Sequence, residues 1–147
     1  MGESNLQDDE SLSHGAQHEM NMGKQISTED VNRSMKMRSE LIKKIDHLFG
    51  ECDFLAMPSA QVFPFDKNID YPKKISEKEM QTYHQWMEVT VLSSLLGLPT
   101  ISIPVGFNKN NLPMGMQIIG RKKEDLRVIS FAKRYEQIFG YSNVTPA

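Results

Sequence analysis

The sequence has a single cysteine, Cys52, so no disulfide can form within the chain, and a reducing compartment is expected. No apolar run approaches the ~20 residues that cross a bilayer, and the acidic N-terminus lacks the apolar segment of a secretory signal. A net charge of −2 provides no basic field that would attract nucleic acid. These absences predict a cytoplasmic protein that binds neither membranes nor nucleic acid.

The first 25 residues differ in composition from the remainder of the 147-residue chain. They contain almost no β-branched or aromatic residues, and their acidic side chains outnumber the basic ones. The charged residues are Glu3, Asp8, Asp9, Glu10, Glu19 and Lys24. Such a segment cannot bury enough apolar area to offset the entropy lost on ordering. We therefore predict a disordered acidic tail at residues 1–25 and a folded domain at residues 26–147.

A first helix is predicted from Ser27, where a hydroxyl cap is followed by acidic residues. An apolar stripe with helical spacing follows, and Gly50 provides a stop. The stripe consists of Val31, Met35, Arg38, Ile42, Ile45 and Phe49, widened by Leu41 and Leu48. Residues 53–58 form a short apolar run that predicts a buried strand, and the proline-containing segment 59–74 predicts an extended loop.

A second helix is predicted after this loop, because Ser76 and Glu79 stand at the spacing of a capping box. The helix is expected to end at Gly97, and Pro99 prevents it from resuming. Its apolar stripe is Met80, Tyr83, Met87, Thr90, Val91 and Leu95, with Trp86 beside it.

Glycine and proline punctuate residues 97–120, which read GLPTISIPVGFNKNNLPMGMQIIG. Two apolar runs, 100–105 and 114–119, predict two strands joined by a tight connection, at least one of them buried on both faces. A third helix is predicted over residues 124–139, with Gly140 as its stop. Its stripe is Leu126, Ile129, Ala132, Tyr135 and Ile138, with Val128 and Phe131 beside it. The order of elements predicts an α/β fold with a small mixed sheet edge packed by about three helices.

Several motifs in this order resemble the C-terminal region of the amidase signature family. They are Cys52–Pro58 (D-x-L-x-x-P), Gly97–Phe107 (G-L-P-x-x-x-x-P-x-G-F) and Leu112–Gly120 (L-P-x-G-x-Q-x-x-G), then Arg121, Asp125 and Tyr135-Glu136. The helix Tyr83–Met87 also looks like the one before the family's G-L-P turn. The resemblance covers about residues 31–139, and motifs that are weak singly become specific when they occur together in order.

The resemblance implies that the chain has part of the amidase fold. Members of this family hydrolyse amides with a Ser-Ser-Lys triad. In the family, the nucleophilic serine lies in a G-G-S-S-G-G stretch, the second serine in a cis peptide, and the lysine further upstream. This sequence contains no such stretch. The chain therefore looks like the last quarter to third of an amidase, truncated or split, and we expect it to be inactive alone. We assign it no catalytic residue.

Other residues are candidates for an alternative nucleophile or base. Ser93-Ser94 lies in an apolar helical segment without the base and oxyanion hole that a nucleophile needs, which favours helix packing. Ser59 follows a predicted strand and could line a pocket. Cys52 precedes that strand and is expected to act as a small apolar filler. His84 neighbours the tryptophan of the second helix without an acid at a fixed spacing.

No metal-binding or cofactor-binding residue is predicted. His14 and His18 are four residues apart, but the residues between them lack the acid of the H-E-x-x-H pattern. His47 is expected at the end of the first helix, where the dipole favours a cation. The lysine pairs at 73–74 and 122–123 are expected in solvated turns.

Three hypotheses for function follow from these observations. The chain is part of an amidase that hydrolyses a carboxamide only when a partner supplies the Ser-Ser-Lys segment, or it is a non-catalytic interaction module on the same scaffold. The third, least favoured, is an enzyme with another mechanism that uses Ser59, His84 or Cys52. A partial sheet exposes edge backbone groups, so the expected partners are the missing amidase half or a second copy. The motifs do not separate a general amidase from the amidotransferase component that acts on aminoacyl-tRNA, although Tyr83–Met87 looks more like the former.

Overall fold

The structure is a computed structural model that describes residues 12–145, with the side chain of His14 excepted. The chain divides into two compact units, Met1–Met37 and Arg38–Ala147. Within residues 12–145, no helix is both long and apolar enough to cross a membrane.

Helices and short strands alternate along the described residues. The helices are α1 His14–Gly23, α2 Thr28–Glu51, α3 Tyr83–Met87, α4 Val91–Leu96 and α5 Asp125–Phe139. The strands are β1 Leu55–Pro58, β2 Lys74–Ile75, β3 Lys78–Glu79, β4 Thr100–Phe107 and β5 Pro113–Ile119. Single 3-10 turns occupy Glu88–Thr90 and Tyr141–Asn143.

Helix α1 lies within the segment that we predicted to be disordered. Ser13 caps it, since its hydroxyl accepts a hydrogen bond from the N–H of Ala16 at 3.4 Å. None of the side chains described in α1 is buried, so local propensity and the cap account for the helix rather than a packed face. Residues 1–11 of the predicted tail lie outside the described residues.

Helix α2 begins as predicted, at a reciprocal cap between Ser27 and Asp30. The N–H of Asp30 donates to Ser27 Oγ at 3.1 Å, while the N–H and hydroxyl of Ser27 donate to Asp30 Oδ2 at 3.1 and 2.6 Å. The bond from the Ser27 hydroxyl, followed by that from its backbone, lowers the pKa of Asp30 below the ordinary 3.8. The carboxylate is thus favoured at the helix N-terminus, where the dipole also stabilises it.

The apolar stripe of α2 is buried only in its C-terminal half. Ile45 and Phe49 are 6% and 3% exposed, whereas Val31, Met35 and Leu48 are exposed. The predicted apolar face is therefore covered over only part of its length. Helical spacing shows which side of a helix is apolar and does not show whether another element packs against that side. The helix also continues through the predicted stop and ends at Glu51.

Strands β1, β5 and β4 form a sheet in that spatial order, and both pairings are antiparallel. The predicted strand pair is confirmed, with β4 and β5 joined by the short link at residues 108–112. The prediction of a buried strand at 53–58 is wrong in one respect. Strand β1 starts at Leu55, lies at the sheet edge and alternates half-buried with exposed residues.

Helices cover both faces of this sheet. On one face, Ile103 and Ile118 pack with Ala132 of α5. On the other, Ile119 packs with Ile45 and Phe49 of α2 and with Leu96 of α4. Each buried aliphatic side chain contributes roughly 1.5–3 kcal/mol relative to exposure. The α/β class is confirmed as a helix–sheet–helix arrangement whose described main sheet is antiparallel rather than mixed.

The predicted capping box at Ser76 and Glu79 is wrong. These residues belong to the β2–β3 hairpin, in which Ser76 has φ of 51° and Lys74 pairs with Glu79. The helical segment starts later, where the hydroxyl of Thr82 accepts from the N–H of Gln85 at 3.3 Å.

The apolar face of the second helical segment is also rotated from the prediction, because the 3-10 turn between α3 and α4 shifts the helical phase. Ser93 and Leu96 are buried, while Tyr83, Val91 and Leu95 are exposed. The end of the segment is as predicted, since Gly97 adopts the left-handed conformation with φ of 65°.

Helix α5 ends as predicted at Gly140, but only Ala132 of the predicted stripe and Val128 beside it are fully buried. Val128 and Ala132 are 2% and 5% exposed, whereas Leu126, Ile129 and Ile138 are exposed. The helix covers a narrow sheet of short strands, and this leaves most of its apolar residues uncovered.

Two arginines near α5 hold the ends of other elements. Arg121 donates to the carbonyl of Phe49 and, at 3.3 Å, to that of Cys52, so it satisfies carbonyls left free at the end of α2. Arg127 pairs with Asp53, and this bond is the main reason why the pKa of Arg127 is raised. Arg121 thus connects the segment before α5 to the end of α2, and Arg127 connects α5 to Asp53, which precedes β1.

Candidate functional site

Family-like motifs from three strands meet where β1 ends and the chain turns away at Ser59. The N–H of Ser59 donates to the carbonyl of Gly115 at 2.8 Å, which extends the contact between β1 and β5. The hydroxyl of Ser59 lies 2.6 Å from the hydroxyl of Ser102 on β4. The two hydroxyls therefore meet across the central strand, and we refer to Ser59, Ser102 and Gly115 as the serine platform.

Glycine is required at the centre of the serine platform. An ideal Cβ on Gly115 would lie 2.8 Å from Ser59 Oγ and 3.1 Å from Ser102 Oγ. Both distances are tighter than ordinary contacts of a Cβ, so a side chain there would push the two hydroxyls apart. The glycine permits this close approach and explains its place in an otherwise apolar strand.

Gln117 holds the platform against the helical segment. It is 5% exposed, and its Nε2 donates to the carbonyl of Pro58 at 2.8 Å and to that of Val89 at 3.1 Å. Both amide protons are therefore used to join β5, the end of β1 and the 3-10 turn. A buried amide with its donors satisfied gives this corner a defined geometry.

The loop that follows Ser59 is bonded to α3 and carries an aromatic contact. Gln61 Nε2 donates to the carbonyls of Gln85 and Trp86 at 2.9 and 2.6 Å, which attaches the loop after β1 to α3. The ring of Phe65 meets Trp86 edge-on, with centroids 5.4 Å apart and an interplanar angle of 88°. The indole Nε1 of Trp86 is buried without a hydrogen-bond partner among the described residues.

No base is hydrogen-bonded to the serine platform among the residues that the structure describes. The hydrogen-bond partner of each hydroxyl is the other hydroxyl, and in the described part of the chain neither bonds to a lysine, a histidine or a carboxylate. A serine needs such a base, or an equivalent, to lose its proton during attack. Because one hydroxyl donates to the other, the platform retains one hydroxyl proton and several oxygen lone pairs for hydrogen bonds to another molecule.

The other candidate residues do not join this site. Cys52 donates its thiol to the carbonyl of Leu48 at 3.2 Å, as a half-buried residue at the end of α2. Ser93 is buried within α4, which agrees with the predicted role in helix packing, whereas Ser94 is exposed. His84 lies on α3, with its ring centroid 6.2 Å from that of Tyr83.

The remaining histidines do not form a metal site in the described part of the chain. Residues 12–145 contain no cluster of three or more His, Cys, Asp or Glu side chains that could hold a metal ion. His14 and His18 both fall on α1, and the side chain of His14 lies outside the described residues. His47 Nε2 lies 3.9 Å from Glu51 Oε1 on the exposed surface of α2.

Sequence reasoning missed the roles of Ser102, Gln61 and Gln117. A signal was available for Gln117, since it is the one polar side chain of the apolar strand at 113–119. No local signal marks Ser102 or Gln61, because their partners lie 43 and 24 or more residues away in sequence.

The fold defines the class of this chain as α/β, with helices on both faces of a short antiparallel sheet and a pair of serine hydroxyls where β1 ends. Comparison with known proteins names that scaffold. The family model described as Amidase matches residues 5–129. The chain belongs to the amidase family.

Relatives and solved structures agree with this assignment. The chain is 33% identical over 108 residues to the A-type subunit of glutamyl-tRNA(Gln) amidotransferase from Borreliella afzelii, a match that covers 74% of this chain and 21% of that protein. The structure of a bacterial aryl acylamidase of the amidase signature family superposes with a TM-score of 0.78 at 24% identity, covering 90% of this chain and 27% of that one. The corresponding amidotransferase structure from Thermotoga maritima gives 0.53 at 25% identity, covering 81% and 26%.

The matched region is a small part of each relative. The chain spans about a fifth of the length of the curated relatives it matches, 21% for the Borreliella protein. The family match also begins at residue 5, so it includes most of the segment that we predicted to be a tail separate from the folded domain.

Proposed function

We propose that this chain supplies scaffold and substrate-facing surface to an amidase whose Ser-Ser-Lys segment is provided by sequence outside these 147 residues. The observation that carries the proposal is the serine platform. It is a polar site where segments that carry the family-like motifs meet, and its two hydroxyls bond to each other rather than to a base within the described residues. The single cysteine supports a cytoplasmic location.

The reaction would be hydrolysis of a carboxamide through an acyl-enzyme. The nucleophilic serine of the complementing segment attacks the carboxamide carbonyl and forms the ester while the C–N bond breaks and the amine leaves with a proton. Water then hydrolyses the ester, which releases the acid and restores the serine hydroxyl. In this reaction the residues of this chain bind and orient. Gln117 fixes the corner between β1 and the 3-10 turn, and Gly115 leaves room for the hydroxyls of Ser59 and Ser102 to meet there.

A second candidate function is that of the A-type component of an aminoacyl-tRNA amidotransferase. The identity of 33% to the Borreliella glutamyl-tRNA(Gln) amidotransferase protein, over 74% of this chain, favours it. Both candidates require the same Ser-Ser-Lys triad from outside these residues, and they differ in substrate.

The test is labelling with a fluorophosphonate probe, which reacts with activated serines. The purified chain should remain unlabelled, as should its Ser59→Ala variant. Mixed with an amidase segment that carries the G-G-S-S-G-G stretch, it should co-purify with that segment and permit labelling there, together with hydrolysis of a carboxamide. Labelling of the chain alone at Ser59 would overturn the proposal, and so would a failure to bind or activate any such segment.

A further inference from the structure

The outward face of helix α5 leads to an inference about self-association that does not depend on the proposed function. Val128 and Ala132 face the sheet and are buried, whereas Leu126 and Ile129 are 80% and 54% exposed. We infer that this outward face binds the same face of a second copy of this chain, with the two α5 helices antiparallel. The two-fold axis of the pair passes beside Ile129.

The charges along this face make it complementary to itself. Asp125 and Lys133 lie four residues before and four residues after Ile129, so helical spacing places all three on one side of α5. Both charged side chains are exposed, and neither belongs to an ion pair within the described residues. A two-fold axis beside Ile129 brings Asp125 of each copy opposite Lys133 of the other copy. The same pair of opposite charges therefore forms twice.

The centre of the face offers apolar area without an unsatisfied polar group. Leu126 lies one helical turn before Ile129 and has the highest exposed fraction among the large apolar side chains of the described residues. The hydroxyl of Ser130 donates to the carbonyl of Leu126 at 2.7 Å, so it needs no hydrogen bond from a partner. Association at the axis would therefore remove apolar area from water and leave no donor unpaired.

Two other charged residues of α5 already have partners within their own chain. Arg127 is paired with Asp53 and Glu124. The carboxylate of Glu136 accepts hydrogen bonds from the hydroxyl and the N–H of Ser142, the latter at 3.1 Å. These groups therefore add no free charge that would oppose the approach of a second copy.

The remaining cations near α5 do not oppose the pairing either. Arg134 lies five residues beyond Ile129, and helical spacing turns it toward another side of the helix. Lys122 and Lys123 precede the first turn of α5. Antiparallel packing places these lysines near the C-terminal end of the other helix, where the dipole favours a cation.

The face is small, so the association is expected to be weak and sensitive to salt. Stable interfaces bury about 800 Å² on each partner. Helix α5 has 15 residues and is about 22 Å long, and one side of it provides less area than that. Exposed ion pairs are screened at high ionic strength. We therefore expect a monomer–dimer equilibrium that shifts toward the monomer when sodium chloride is added.

Sedimentation equilibrium of the purified full chain, at a series of concentrations up to its solubility limit, measures this association. Asp125→Lys leaves only cations at the paired positions, and Lys133→Asp leaves only anions. Each variant alone should weaken the dimer about tenfold, because like charges then face each other at both pairs. Mixed in equal amounts, the two variants restore both pairs of opposite charges and should associate as strongly as the wild-type chain.

Two further variants separate the face from general effects. Arg134→Asp is the matched control, because it reverses an exposed charge on the same helix and should leave the dimer unchanged. Ile129→Lys sets two ammonium groups against each other at the axis and should also weaken the dimer. It provides a second test if a charge reversal unfolds the chain, and circular dichroism verifies that each variant is folded.

The results that would overturn this inference are specific. They are a chain that stays monomeric at every concentration, a dimer that neither charge reversal weakens, and single variants whose mixture stays monomeric. Equal weakening by Arg134→Asp would also overturn it, because the effect would then be one of charge in general.

The outcomes also distinguish this interface from the proposed function. If the chain is monomeric and Asp125→Lys prevents co-purification with the complementing amidase segment, that segment covers the face. The inference then fails and the proposed function stands. If the dimer behaves as expected and no complementing segment gives a labelled serine, the interface stands and the proposed function fails.

Discussion

Replacing Gly120 with alanine tests the packing argument most directly. Gly120 follows β5 and donates its N–H to the carbonyl of Pro99 at 2.9 Å. An ideal Cβ at this position would lie 2.3 Å from Cγ2 of Val128, which is 2% exposed on α5. Carbon atoms pack at about 3.5–4.0 Å, so α5 or the end of β5 would have to move by more than about 1 Å.

The magnitude follows from how little this site can relax. Val128 is β-branched and strongly prefers one χ1 rotamer in a helix, so it cannot turn its methyl group away. Overpacking of this kind costs about 1–3 kcal/mol, and we expect Gly120→Ala to lie in the upper part of that range. For a domain of this size, the melting temperature falls roughly 2–4 °C for each kcal/mol.

The assay is urea unfolding followed by circular dichroism, applied to a double-mutant cycle. Val128→Ala alone should cost about 2 kcal/mol through lost burial. The double variant should be at least about 1 kcal/mol more stable than the sum predicts, since the clashing methyl is gone. Gly50→Ala is the matched control. It lies in α2 with no atom within 4 Å of the added Cβ, and it should stabilise by about 0.5–1 kcal/mol. Wild-type stability of Gly120→Ala, or strict additivity in the cycle, would refute the reasoning.

Three further perturbations address the site, the helix cap and the arginine. Gln117→Leu leaves two carbonyls without their donor and should lower the free energy of unfolding by about 2 kcal/mol in urea titrations; an unchanged midpoint would contradict the bridging role. Because the folded pKa of Asp30 lies below 3.8, its stabilisation is complete above the unfolded pKa and is lost as pH falls through the folded value. NMR titration should place its midpoint below 3.8, and Ser27→Ala should move that midpoint upward; equal midpoints would refute the cap. Arg121→Met keeps the apolar stem but removes both hydrogen bonds to the end of α2, and it should lower the free energy of unfolding by about 1–2 kcal/mol. Amide hydrogen exchange near Phe49 should become faster, and an unchanged exchange rate there would contradict this role of Arg121.

Features of the sequence that depend on a few neighbouring residues were predicted well. The Ser27 cap of α2, the left-handed Gly97 and Gly140, and the β4–β5 pair all rest on contacts within a few positions or on the strong conformational preference of glycine. The same reasoning failed at Ser76, where a capping-box spacing occurs in a hairpin. The spacing of two side chains does not by itself show that a helix follows.

Burial was predicted less well than secondary structure. Val31, Met35, Leu126 and Ile129 have helical spacing but remain exposed, because periodicity says which side of a helix is apolar and not whether another element covers it. The chain spans about a fifth of the length of its relatives, and a partial domain exposes more apolar surface than a complete one.

The sequence by itself determined the family and the α/β class, because the motifs from Cys52 to Gly120 and the order of elements are properties of residue order. It also showed that these 147 residues contain no Gly/Ser-rich nucleophile segment. Only the tertiary structure decided what those motifs do. It brought Ser59 to within 2.6 Å of a hydroxyl 43 residues away, used Gln117 to connect β1 with the 3-10 turn, and set Arg121 at the end of α2. Such contacts depend on strand register and on how helices cover the sheet, and no local spacing in the chain encodes either of them.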